Sequence, residues 1–104
     1  MKIGIFYVPH CPNHAVALRR LRAILSPESF QTHVREVLVT DTRMAQMLKF
    51  PGSPTIRVNG QDVEPQSEKS PAVGLMCRLY LDGTGAPSEE RLRAVIEKAR
   101  GLEF

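Results

Sequence analysis

The 104-residue chain has no tryptophan, two cysteines and an aromatic content of 6%. Two cysteines cannot supply the framework of a disulfide-stapled secreted domain. None is needed, because one domain of this length buries roughly two-thirds of the surface its unfolded chain exposes. Long apolar runs are missing too. The opening MKIGIFYVPH carries one lysine and an apolar run ending at Pro9, too short for a secretory segment or a membrane span. A cytoplasmic location is therefore expected, with both cysteines kept as thiols. The net charge of +3 and pI near 9.2 raise the question of nucleic acid. However, Arg19, Arg20 and Arg22 are interrupted by Leu18, Leu21 and Ala23, the pattern of a solvated helix face. No basic run is interleaved with aromatics for base stacking, so neither a nucleic-acid nor a membrane partner is expected. With 42% hydrophobic and 24% charged residues, the composition is that of an ordinary globular protein.

Hydropathy patterning gives the element order. KIGIFYV at 2–8 is a continuous apolar and β-branched run, as in a strand covered on both faces. Helical spacing follows from Pro12 to Leu25 through Ala15, Ala17, Leu18, Leu21 and Ile24, and SPES at 26–29 is read as its stop. HVREVLVT at 33–40 predicts a second strand. Asp41 can cap a short helix whose Met44, Met47 and Leu48 face the core, before FPGSP breaks it. PTIRV at 54–58 predicts a third strand, and Asn59-Gly60 is a strong hairpin signal that turns QDV back antiparallel. Residues 64–74 read as an exposed insertion, and LMCRLYL at 75–81 as the last strand, with Cys77 buried in it. Ser88 can cap a closing helix, with Glu89 and Glu90 suited to its dipole and a buried stripe of Leu92, Val95, Ile96 and Ala99 up to Gly101. The order β-α-β-α-β-β-α predicts a single α/β domain over residues 1–104. Its four-stranded mixed sheet is flanked by helices.

Ligands of such sheets meet the carboxyl ends of parallel strands, where FYVPHCPNH places Cys11. Pro12 suits the first helical position, which puts Cys11 at the N-cap or in the first turn. There the unpaired N–H groups and the positive end of the helix dipole favour thiolate over thiol. His14, one turn on, could stabilise that thiolate when protonated or shuttle the proton of a departing thiol when neutral. His10 reads as a surface residue.

FYVPHCPNH after the first strand, with GSPTIRVNGQDV later in the chain, resembles the thioredoxin-like superfamily. The resemblance spans nearly the whole chain. It implies that Cys11 is the nucleophile, that Pro54 is a cis-proline set against it, and that the backbone of Ser53 pairs with a bound peptide or thiol ligand. Pro12 and Asn13, between Cys11 and His14, would line the same substrate site. His14 stands where a second, resolving cysteine would stand, which departs from a dithiol cycle. CPNH with GSPTIRVNG and CRLY is similar, more closely, to a small bacterial thioredoxin-like group with selenocysteine-containing and organomercury-lyase-like relatives.

Three functions are consistent with these residues. The first is thiol redox chemistry, in which Cys11 attacks a disulfide, peroxide or sulfenic acid. An external thiol such as glutathione, acting as co-substrate, then resolves the product, and no other cofactor is expected. The second is capture of a soft metal or mercurial by Cys11 and His14. The third is a non-catalytic binding module that uses the groove at Ser53 and Pro54. If 75–81 runs as an antiparallel strand, Cys77 lies about 10 Å back along it, roughly two strand spacings from Cys11. That is beyond disulfide reach, so the two cysteines are expected to stay unbridged.

Overall fold

In the computed structural model, which describes residues 1–65 and 73–101, the elements are β1 (Ile3–Tyr7), α1 (Pro12–Ile24), α2 (Pro27–His33), β2 (Val34–Leu38), α3 (Thr42–Leu48), β3 (Thr55–Val58), β4 (Gln61–Asp62) and α4 (Glu89–Gly101). The strands form one mixed sheet in the order β2-β1-β3-β4. β1 and β2 are parallel, as the helical crossover between them requires, while β3 and β4 are each antiparallel to their neighbour. The α/β architecture and the four-stranded sheet match the expectation. Part of the insertion read at 64–74, residues 66–72, lies outside the described residues.

Alternation along β1 decides which layer each side chain joins. Ile3 and Ile5 face α1 and α4, where they pack with Ala17, Leu21, Ile56, Leu92 and Ile96 in the main core. Phe6 faces the other way, against a smaller cluster of Val39, Ala45 and Phe50 under α3. Helices therefore cover both faces. The local signals hold where the sequence put them. Asp41 Oδ1 accepts the Met44 N–H at 2.8 Å, Ser88 Oγ accepts the Arg91 N–H at 3.1 Å, and Asn59 and Gly60 turn the hairpin with φ of 53° and 84°.

Four expectations are corrected. SPES does not merely stop a helix: Ser26 accepts the Ser29 N–H at 3.1 Å and, with Pro27 at the first position, starts α2, which takes in His33. Residues 75–81 form no strand, and the fourth strand is the two-residue β4. Met47 is 76% exposed, because α3 lays Ala45 and the partly buried Met44 and Leu48 on the sheet. Cys77 is exposed rather than buried. Among the described residues no helix is long and apolar enough to cross a membrane.

Candidate functional site

β1 ends at Tyr7, and its carbonyl accepts the Val39 N–H at 2.7 Å. The chain then turns through Pro9 and His10, which is exposed and left-handed at φ 61°. This turn delivers Cys11 to the N-cap of α1 in extended conformation, with φ −76° and ψ 114°. Pro12 occupies the first turn, where its missing N–H leaves no donor unsatisfied. The Cys11 side chain makes no capping hydrogen bond, and the first turn of α1 contains no acidic residue. The half-buried Cys11 thus stands where Ser or Asp would normally accept from the helix, and no acidic residue of the helix's own first turn offsets the positive end of the dipole.

His14 is drawn toward the edge of the sheet. Its ring lies flat on Tyr7, with centroids 3.6 Å apart and planes within 6°, and Nε2 meets Glu36 Oε1 on β2 at 2.9 Å. The carboxylate accepts from Nε2, which leaves Nδ1 as the nitrogen able to exchange a proton. Among the described residues His14 forms no side-chain hydrogen bond to Cys11. Asn13 is turned toward the loop before α4, so close to Gly85 that a Cβ there would collide with its amide.

Ser53 and Pro54 lie inside the fully buried stretch 51–56, and the peptide bond between them is cis. Ser53 ties three segments together. Its Oγ accepts the Val8 N–H at 3.0 Å, at the end of β1 that leads to Cys11. Its own N–H donates to the Met76 carbonyl at 2.7 Å, and its carbonyl accepts the Arg78 N–H at 2.9 Å, a parallel bridge that sets Cys77 opposite Ser53. The backbone edge expected to receive a ligand is therefore occupied by the chain's own residues 76–78. Gly52 permits the approach: at φ 131°, a Cβ would come within 3.1 Å of Arg78 Cβ and 3.2 Å of the Met76 carbonyl.

Two side chains hold the segment in place. Arg78, 5% exposed, donates bidentately to Asp62 at 2.7 and 3.0 Å, to Thr55 Oγ1 at 3.1 Å and to the Glu64 carbonyl. A buried guanidinium is tolerated because its charge is paired and its donors are satisfied. It also lies 4.5 Å from the ring centroid of Tyr80, whose buried hydroxyl donates to the Pro54 carbonyl. Burial pushes the Tyr80 phenol well above its ordinary value. Arg78 opposes this rise, and Asp62, Glu64 and Cys11 add to it.

The structure thus gathers Cys11, Pro12, Asn13 and His14 at one helix start and links Ser53 to the turn before it, while Ser53 itself is buried. Sequence reading assigned no part to Glu36, Tyr7, Arg78, Tyr80 or Asp62. The one available signal was the stretch RLYL at 78–81, in which a cation and a phenol alternate with leucines. Among the described residues no group of three or more His, Cys, Asp or Glu is placed to hold a metal ion. No family model, no curated protein and no solved structure matches the chain.

Proposed function

We propose that this chain is a thioredoxin-like thiol redox protein in which Cys11 is the nucleophile. Supporting the fold assignment are the sheet order β2-β1-β3-β4, the parallel β1–β2 pair, and a helix that begins with cysteine at the carboxyl end of β1. The observation that carries the chemistry is Cys11 at an N-cap with no competing cap and no acidic residue in the first turn. The Cys11 thiolate attacks one sulfur of a disulfide, forms a mixed disulfide and expels the other sulfur as a thiolate. His14, steadied by Tyr7 and Glu36, takes the Cys11 thiol proton at Nδ1 as the thiolate forms and returns it to the departing thiolate. A second thiol opens the mixed disulfide, and glutathione is the small-molecule co-substrate of that class.

Glutathione-dependent reduction of bis(2-hydroxyethyl) disulfide tests this reading. Cys11→Ser is expected to abolish the reduction. His14→Ala and Glu36→Gln should slow it about 10-fold or more, within the range of a lost acid–base contribution. A Cys11→Ser protein that retains the wild-type rate would overturn the assignment.

A further inference from the structure

Cys77 was expected about 10 Å back along a strand from the active end, and the structure removes that offset. The parallel bridge puts its Cα opposite Ser53, one strand spacing of about 4.8 Å away. Ser53 in turn is bonded through Oγ to Val8, three residues before Cys11. Tyr80, three residues after Cys77, is anchored through its hydroxyl on the carbonyl of Pro54. Ser53 is therefore tied on one side, through Val8, to the turn that delivers Cys11 and on the other to the segment that carries Cys77. Both thiols reach solvent. Cys77 is held at that level by Arg78, the next residue, and by the close approach over Gly52.

We propose that Cys77 is the resolving cysteine of this site, an inference that rests on the thiol redox reading of Cys11. Cys11 attacks a disulfide R–S–S–R′ and becomes Cys11–S–S–R while R′S⁻ leaves. The Cys77 thiolate then attacks Cys11 Sγ, the Cys11–Cys77 bond forms, and RS⁻ leaves. The substrate gains two electrons and becomes two thiols; the protein loses them and becomes an intramolecular disulfide, which an external thiol such as glutathione reduces. No further oxidant enters. The second thiol, absent from the C-x-x-H motif, is supplied by the segment lying on Ser53.

The test uses the full chain and one equivalent of 2,2′-dithiodipyridine, followed by thione absorbance and intact mass. In the wild type, a first thione is expected on attack by Cys11 and a second on resolution. The second release should proceed at a rate independent of protein concentration, leaving a protein two hydrogens lighter that maps to a Cys11–Cys77 peptide. Cys77→Ser should release the first thione at the wild-type rate and stop there, with a stable pyridyl adduct on Cys11. A wild-type protein that stops at the same adduct, or resolves it only by forming dimers, overturns the resolving role and leaves the Cys11 assignment standing. If the reagent attacks Cys77 before Cys11, the underlying reading fails instead.

Discussion

Residues 1–62 and residues 73–87 secure their backbones by different means. In the first region the main chain satisfies itself within α1, α2 and α3 and through ladders between β1, β2, β3 and β4, and the side chains fill an apolar core. The second region contains no strand. It is attached by the bridge at Ser53, the Arg78 fork on Asp62 and Thr55, the Tyr80 hydroxyl on Pro54, and Arg20, which donates to the Ala86 and Pro87 carbonyls at 3.2 and 2.8 Å. Tyr80 and Ala86 are buried, but its leucines point outward, with Leu79 75% and Leu81 84% exposed. The first region rests chiefly on apolar burial and the second chiefly on a few satisfied polar contacts, and the second carries one of the two cysteines.

The largest effect should come from breaking the polar anchor. Arg78→Ala leaves Asp62 and Thr55 without their buried partner and is expected to lower unfolding free energy by about 3 kcal/mol in denaturant titrations. Arg93→Ala, which removes the exposed pair with Glu89, should cost about 0.5 kcal/mol or less. Equal losses from the two would erase the contrast between anchored and surface charges. Next is Gly52→Ala, which forces a left-handed residue against Arg78 and the Met76 carbonyl. It should cost more than about 1 kcal/mol and raise the rate at which Cys77 is labelled, because residues 76–78 must move away from Ser53.

Tyr80→Phe should cost about 1 kcal/mol, the value of a hydrogen bond to a carbonyl that is then left unpaired. The cost should also depend on pH. The folded phenol titrates above its unfolded value of about 10, so its stabilising contribution is complete below that pH and declines as pH rises toward the folded value. The gap between wild type and Tyr80→Phe is therefore expected to narrow above about pH 10. The smallest effects belong to Met47→Gln and Leu79→Gln, each within about 0.5 kcal/mol of wild type despite replacing a hydrophobic residue.

These contrasts follow what could be read from the sequence. The Asp41 and Ser88 caps, the Asn59-Gly60 hairpin and Cys11 at the start of α1 were legible because each is set by residues within a few positions. SPES held the signal for α2, with Ser26 before Pro27, but the same residues also end α1 and were read only that way. LMCRLYL misled because hydropathy assigns Leu79 and Leu81 to the interior. Burial of Arg78 and Tyr80 instead depends on partners 16, 23 and 26 residues away. His14 was placed correctly on α1, yet its direction is set by Tyr7 and Glu36, which only the β1–β2 pairing brings beside it.

On the thiol redox reading, the helix start, and not accessibility, makes Cys11 the reactive thiol. Competitive alkylation with iodoacetamide at neutral pH, with both cysteine peptides quantified by mass spectrometry, separates the two causes because Cys77 is the more exposed residue. Cys11 is expected to be modified several-fold faster than Cys77 in the folded protein, and the two rates are expected to converge in denaturant. Faster modification of Cys77 in the folded state, or equal rates under both conditions, would contradict it.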